Sequence, residues 1–342
     1  MTPSNPLRDE SGSTHLDSTA QIMDRISSQL GTQLSLVSPD GTRRRHPRRA
    51  AHPGLRPDPS PAPSPDSRPT LVLVAHGSRD PRALATVTAL AERVREQRPG
   101  LAVRLGHIEL NEPLLTDTLQ DLTAQATGQA VGRAVGQAVL VPLLLSRGQH
   151  VKRDIPAAAA CFPDLGTRVA APLGPHPLLA EALHARLLQA GWPERPAGAG
   201  AGGGSGAGSG SWVGARHRHA VVLAAAGSRD PESAADTETA AGLLAERLRV
   251  PVVPAYAAPT PACPRSVPEA LEALAAQGRT RTAVASYFTA PGRFATQSAG
   301  AAPWIAAAPL GPHAALARLV LLRYDQARSA PVSVSRRTLS SV

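Results

Sequence analysis

Cysteine, lysine and aromatic residues are scarce in this 342-residue chain. The two cysteines, Cys161 and Cys263, are too few for a disulfide framework and do not have the spacing of a zinc site. Aromatic residues make up only 3% of the chain, so a core must rest on Leu, Val and Ala. Lys152 is the only lysine. These absences exclude a disulfide-rich secreted scaffold and favour a reducing cytoplasm.

Long apolar runs and nucleotide-binding motifs are also missing. No run approaches the roughly 20 apolar residues that span a bilayer, and the first residues lack the pattern of a signal peptide. No GxxxxGK[ST] loop indicates ATP binding. The formal net charge of +10 favours acidic partners, but no zinc-finger or helix-turn-helix pattern supports nucleic acid. A polycarboxylate or phosphate ligand therefore suits the charge better.

Composition divides the chain into segments. Residues 1–69 are rich in Pro, Ser and Arg and predict a disordered leader. Its arginine cluster, 43–49, is interpreted as a solvated tail, with a nucleic-acid tether as the weaker alternative. A Gly/Ser/Ala linker at 194–215 separates an ordered segment, 70–193, from a second one, 216–328. The last residues, 329–342, predict a disordered tail.

Strands and helices alternate in both ordered segments. In the first, "TLVLVAH" predicts a buried strand, and Asp80-Pro81 predicts the start of a helix. Further strands are predicted at "LAVRLGHIEL", "AVLVPLLLS" and "TRVAAPLG", each separated from the next by a helical stretch. This order is typical of an α/β fold with parallel sheets.

The second segment repeats the first. "VVLAAAGSRDP" follows "LVLVAHGSRDP", and "IAAAPLGPH" follows "RVAAPLGPH" in the same order. Phrases matched in order indicate an internal duplication.

Three polar positions stand out, because ligands of parallel sheets bind beyond the carboxyl ends of the strands. His76 ends the first strand, before a glycine and a helix N-terminus. His150 follows the strand "AVLVPLLL" in the basic loop "SRGQHVKRD", where Asp154 predicts a helix start. Strand alternation places His107 and Glu109 on one face of the strand in "GHIELNEP". Each position also has a purely structural interpretation. His76 would be a hydrogen-bonded strand end, and His150 would lie in an exposed basic loop. Glu109 would be paired with an arginine, and His107 would be a core imidazole.

Comparison of the two repeats separates residues that shape the turns from residues that could bind a ligand. His76 aligns with Ala226, Glu109 with Ala258 and His150 with Phe294, whereas Gly77 and Gly148 align with glycines. The three polar residues are absent together from the second segment. Two imidazoles and a carboxylate suit a divalent Fe, Co, Ni or Zn ion, and their wide separation in sequence suits transient holding better than a structural zinc site.

The motifs "VLVAHGSRDP", "ELNEPLL" and "LLSRGQHVKRDIP" together resemble the class II, ATP-independent chelatases that insert a divalent metal into sirohydrochlorin. The resemblance implies two flavodoxin-like domains that face each other across a cleft. It implies a metal held by His76 and His150, with Glu109 as a proton acceptor and, with His107, as a further candidate ligand. Because the second segment lacks these residues, we expect one active site per chain and a monomer.

The resemblance also sets the expected ligands. The substrates are a polycarboxylate tetrapyrrole and Fe²⁺ or Co²⁺, serving siroheme or cobalamin synthesis, with no permanent cofactor, no ATP and no membrane partner. We lean to iron. Candidates for binding the tetrapyrrole share positions beside the predicted metal site: Arg79, Arg147, Lys152, Arg153 and Ser78. The alternative is a non-catalytic metal or tetrapyrrole carrier or sensor on the same fold.

Overall fold

The structure, a computed structural model, describes residues 68–128, 136–193 and 218–330. All of them belong to one compact unit. The predicted linker, nearly all of the leader and all but the first residues of the tail lie outside these ranges. None of the helices in the described ranges combines the length and apolar character that a bilayer crossing demands.

The first half alternates strands and helices from its first residues. Its strands are β1 (Thr70–Ala75), β2 (Val103–His107), β3 (Gln137–Pro142) and β4 (Gly166–Val169). Its helices are α1 (Pro81–Gln97), α2 (Leu115–Gly128), α3 (Ile155–Ala160) and α4 (Pro177–Gln189). A π-helical turn, His150–Asp154, precedes α3. The strands form a parallel sheet of order β2-β1-β3-β4.

The second half repeats this arrangement. Its strands are β5 (His219–Ala225), β6 (Val252–Tyr256), β7 (Arg281–Ser286) and β8 (Ile305–Ala306). Its helices are α5 (Pro231–Leu248), α6 (Val267–Ala276), α7 (Arg293–Gly300) and α8 (Ala314–Ser329). The sheet is again parallel, in the order β6-β5-β7-β8. Both sheets follow the flavodoxin-like 2-1-3-4 order, which confirms the predicted fold class and duplication.

Two local predictions need correction. Strand β2 ends at His107, so Glu109 lies in the following loop and not on a strand face shared with His107. Leu110 has a positive φ of 67°, which no extended strand accommodates. The helix predicted to start at Asp154 begins earlier, because the π-helical turn from His150 runs directly into α3.

The last helix of each half packs against the sheet of the other half. Helix α4 contacts β7 of the second half, and α8 contacts β3 and β4 of the first. The guanidinium of Arg186 donates to the Leu310 carbonyl, and that of Arg323 donates to the Leu173 carbonyl. These residues occupy equivalent places in the repeat, so the interface has the reciprocal contacts of a two-fold axis within one chain.

Packing follows from this arrangement. One apolar cluster runs through both halves and includes Leu73, Val141 and Leu183 of the first with Leu223 and Leu316 of the second. All five of these side chains are at most 1% exposed. Because the halves bury apolar surface against each other, the orientation of the loops that face between them is fixed by core packing.

Candidate metal site in the cleft

His76 is placed by the turn between β1 and α1. It is the first residue after β1, and Gly77 follows with φ 101°. A β-carbon on Gly77 would overlap the carbonyl oxygen of Glu109, so only glycine fits. The hydroxyl of Ser78 accepts from the Asp80 amide, and the Asp80 carboxylate caps α1 by accepting from the amide of Arg82. The turn thus fixes a half-exposed imidazole at the sheet edge.

Glu109 is held beside His76 by backbone bonds. The Glu109 amide donates to the His76 carbonyl at 3.0 Å. The Asn111 amide donates back to the Glu109 carbonyl at 2.8 Å, around the positive φ of Leu110. The side-chain oxygen of Asn111 accepts from the Ser78 amide at 2.7 Å. Glu109 Oε1 consequently lies 3.5 Å from His76 Nδ1.

His150 reaches the same place from the loop after β3. Its ring centroid lies 4.7 Å from that of His76, so the structure brings together the two histidines expected to hold metal. His150 Nδ1 lies 2.6 Å from Asp154 Oδ2 across the π-helical turn. Single π-helical turns occur frequently at functional sites.

The two imidazoles have similar neighbours, although only His150 lies within hydrogen-bond distance of its carboxylate, Asp154. In each ring Nδ1 faces a carboxylate, Glu109 for His76 and Asp154 for His150. A carboxylate that accepts from Nδ1 leaves Nε2 as a neutral donor for a metal ion. Within the described ranges, no three His, Cys, Asp or Glu side chains already converge as a closed metal cluster. A pair of ligands with an adjacent carboxylate suits an ion that is bound and then released.

A cavity of about 980 Å³ opens above these residues and is lined by both halves. Its walls include Leu110 and Leu84, which are unusually exposed for large apolar side chains at 54% and 37%. The opposite wall includes Phe288 and Phe294 of the second half. Its volume lies at the upper end of the usual range for ligand pockets, about 300–1,000 Å³.

The predicted substrate-binding cations fall into two groups. Arg79 and Arg153 are exposed, and neither forms an ion pair with another described residue. Lys152 contacts Asp230 at 2.6 Å and Glu232 at 2.7 Å, which raises the pKa of Lys152 and lowers that of Asp230. Arg147 is bound by Asp236. Two of the four cations are therefore neutralised by the second half, whereas Arg79 and Arg153 stay available to a carboxylate ligand.

The second half has the same backbone without the ligands. Glu109 and Ala258 donate to the carbonyls of His76 and Ala226, respectively, through their amides. Gly227 has φ 100°, and a β-carbon there would overlap the Ala258 carbonyl as the one on Gly77 would overlap that of Glu109. The structure thus superimposes the pairs that the sequence alignment proposed.

The remaining pair is His150 with Phe294. The Lys152 amide donates to the Gly148 carbonyl, and the Thr296 amide donates to the Gly292 carbonyl, both at 3.0 Å. Since Gly148 matches Gly292, Phe294 occupies the place of His150.

Sequence reasoning missed the contacts of four carboxylates, one of which is that of Asp230 with Lys152. Asp154 was interpreted as a helix cap, yet it contacts His150. Asp236 and Glu232 of α5 contact the loop that carries His150. A signal for the latter two was present in the repeat, because Glu232 aligns with Arg82 and Asp236 with Thr86, where the first half has no acid.

His107 lies in the cavity wall but is only 1% exposed. Its Nδ1 lies 3.2 Å from the Pro113 carbonyl, and Nε2 is buried without a hydrogen-bond partner among the described residues. Burial lowers the pKa of His107 and so favours the neutral form of the ring in the folded state. This environment favours a structural imidazole.

His107→Phe tests that interpretation. The unfolded chain binds a proton on this ring near pH 6.5 and the folded chain only at lower pH, so the ring removes stability as pH falls below about 6.5. We expect the variant to be more stable by on the order of 1–2 kcal/mol, because the buried Nε2 is lost, and to lose less stability between pH 7.5 and 5. Urea unfolding at both pH values measures this. Equal pH dependence in the two proteins, or a weakened affinity for Co²⁺, would refute the structural role.

Two parallel-sheet lobes, related by duplication, meet over a cleft that contains the His76–His150 pair, and this combination defines a duplicated, flavodoxin-like class of α/β protein. Comparison with known proteins agrees with this. The CbiX family model matches residues 70–190 and 220–327, covering both halves. The chain belongs to the CbiX family.

Individual relatives support the same family. The sirohydrochlorin cobaltochelatase of Methanococcus aeolicus is 35% identical over 86 residues, which are 25% of this chain and 54% of that protein. The chloroplastic sirohydrochlorin ferrochelatase of Arabidopsis thaliana is 29% identical over 121 residues, which are 34% of this chain and 50% of that protein. The matches thus span about half the length of these relatives. SirB from Bacillus subtilis with Fe³⁺ has a TM-score of 0.57 at 21% identity, covering 77% of this chain and 96% of that one, and it confirms the fold.

Proposed function

We propose that this protein is a sirohydrochlorin chelatase, a lyase that inserts Fe²⁺ or Co²⁺ into the tetrapyrrole. The observation that carries the proposal is the His76–His150 pair, with ring centroids 4.7 Å apart and Glu109 adjacent, at the edge of a cavity lined by both halves. The names of the relatives, cobaltochelatase and ferrochelatase, support the same reaction.

The metal ion is a substrate of the reaction, and the two histidines bind it. Both Nε2 atoms are neutral donors if the Nδ1 protons are shared with Glu109 and Asp154. Neutral imidazole binds Fe²⁺ and Co²⁺ well, and the small number of protein ligands allows the ion to be passed on. Glu109 and Asp154 therefore act on metal binding through the orientation of the two rings.

The tetrapyrrole occupies the cavity. Its carboxylates are attracted by the exposed Arg79 and Arg153, while Ser78, in the cavity wall, is a candidate hydrogen-bond donor. Apolar side chains such as Leu110 and Phe294 suit the faces of the macrocycle. As the metal enters, two pyrrole N–H protons leave, and Glu109, half exposed beside His76, is a candidate base that accepts them one at a time and passes them to solvent.

The two halves divide the work. Residues 70–193 carry the active site, and the described part of the second half forms the opposite wall of the cleft without a second histidine pair. One chain then suffices for catalysis, as a monomer with no permanent cofactor and no ATP.

A metal-insertion assay tests the proposal. Purified protein is mixed with sirohydrochlorin and Fe²⁺ or Co²⁺ under anaerobic conditions, and the visible spectrum is followed. We expect insertion clearly faster than the uncatalysed rate. If neither metal is inserted faster than in the uncatalysed reaction, the enzyme hypothesis is wrong, and the protein is a metal or tetrapyrrole carrier or sensor. The ratio of the two kcat/KM values identifies the preferred metal.

A further inference from the structure

The loop that carries His150 makes side-chain hydrogen bonds to the second half of the chain. The Leu143 carbonyl accepts from the Thr289 hydroxyl at 2.9 Å, and the Leu145 carbonyl accepts from the buried Tyr287 hydroxyl at 3.0 Å. The next residue, Ser146, shares a hydrogen bond of 2.8 Å with the hydroxyl of Ser233. The path from β3 to His150 is thus fixed by contacts across the cleft.

Asp236 contacts Arg147 of this loop at both its backbone and its side chain. Its carboxylate is buried, with only 4% of the side chain exposed, and accepts from the Arg147 backbone amide at 2.8 Å. The same carboxylate accepts from the Arg147 guanidinium at 2.7 Å through Nη2 and at 3.1–3.2 Å through Nε. Bonds to both the backbone and the guanidinium of one residue fix its position and its orientation.

A second anchor lies on the other side of His150. Lys152 contacts Asp230 and Glu232 at the start of the same helix, α5. His150 therefore lies between two cations that the second half holds, three residues after Arg147 and two before Lys152.

The repeat shows that these anchors exist on one side of the cleft only. The places of Asp236 and Glu232 are taken in the first half by Thr86 and Arg82. Thr86 donates its hydroxyl to the Arg82 carbonyl of its own helix. In the second half, Pro291 aligns with Arg147 and Thr296 aligns with Lys152. Neither residue carries a charge, so neither can form an ion pair.

Other contacts have stayed symmetric. A β-carbon on Gly148 would lie 3.9 Å from the Ser228 hydroxyl, and one on Gly292 would lie 3.7 Å from the Ser78 hydroxyl. The backbone approach across the axis is therefore alike on both sides. The acid–base anchors are not, and they occur where the loop carries a histidine.

On this basis we propose that Asp236 is a positioning residue for the metal site, which sets the distance of His150 from His76 by clamping Arg147. The inference rests on the proposed function for the role of the histidines. It assigns the second half a task beyond that of a cleft wall: its helix α5 completes the geometry of a site whose ligands all lie in the first half.

Asp236→Asn is the primary test, with Asp325→Asn as the matched control. Asp325 forms a comparable two-bond ion pair across the halves, with Arg98 at 2.7 and 2.8 Å, but lies outside the residues that line the cavity. The measured quantities are the affinity for Co²⁺ alone, from titration of the visible cobalt bands, and the thermal midpoint. Both use the full chain and need no tetrapyrrole.

We expect both variants to have lower thermal midpoints, but only Asp236→Asn to weaken Co²⁺ binding, by about tenfold or more. Its cobalt bands should also change in position or intensity, which a loss of stability alone does not produce. Arg147→Ala, a change at the half-exposed partner, should have the same effect on the cobalt bands if Asp236→Asn fails to fold.

Equal Co²⁺ affinity and equal spectra in Asp236→Asn, Asp325→Asn and the unaltered protein would overturn the positioning role, as would unchanged spectra in Arg147→Ala. The outcome is separate from that of the proposed function. A protein that binds Co²⁺ but inserts no metal refutes the chelatase and still allows the effect of Asp236 on His150 to be measured.

Discussion

His76→Ala and His150→Ala should each lower kcat/KM for metal insertion by at least about 100-fold. Each removes one of the two imidazoles, whose centroids lie 4.7 Å apart, and a single neutral ring does not hold the ion over the cavity. Because the pair acts as a unit, the double variant should be no worse than either single one. Steady-state rates with sirohydrochlorin and Co²⁺ measure the effect.

Phe294→Ala is the matched control for these variants. Phe294 occupies the place of His150 in the second half and lines the same cavity, but it has no donor atom for a metal. We expect a loss of less than about tenfold, seen in KM for the tetrapyrrole, with Co²⁺ affinity unchanged. Loss of activity as complete as that of the histidine variants would contradict a single histidine site.

Gly77→Ala should have the second largest effect. The residue has φ 101°, and a β-carbon would overlap the Glu109 carbonyl, so the turn that carries His76 must separate from the loop that carries Glu109. We expect a loss of stability on the order of 2–4 kcal/mol together with weakened Co²⁺ binding. Urea unfolding and cobalt titration measure the two effects separately.

Gly227→Ala provides the comparison within the same chain. Gly227 has φ 100° and the same close approach, to the Ala258 carbonyl, but no metal-ligating residue is adjacent. Its stability loss should match that of Gly77→Ala, while Co²⁺ binding should weaken less, because this turn reaches His150 only through the contacts of α5. If the two variants weaken Co²⁺ binding equally, the role assigned to the His76 turn is wrong.

The sequence allowed much of each half to be predicted because the signals there are local. An apolar run that ends before Gly77, followed by Asp80 and Pro81, specifies a buried strand, a turn and a capped helix whichever partner it packs against. The same signals recur at Gly227 and Asp230. The alternation of strands and helices predicted parallel pairing, and the repeated motifs predicted the duplication. The structure confirms both.

Contacts between the halves could not be predicted in the same way. The sequences of α4 and α8 do not indicate that each helix packs on the sheet of the other half, because their apolar faces suit either sheet. Lys152 and Arg147 were interpreted as substrate ligands since both are cations beside His150, and only the fold shows that α5 neutralises them. Glu109 was assigned to a strand face because the alternation continues beyond His107, whereas the backbone turns at Leu110.

The number of Co²⁺ ions bound per chain shows whether the histidines of the first half form a single metal site. We expect one equivalent for the full chain, from titration of the cobalt bands, and none with the same bands after His76→Ala. Two equivalents per chain, or one equivalent that persists unchanged in His76→Ala, would contradict a single metal site formed by the histidines of the first half.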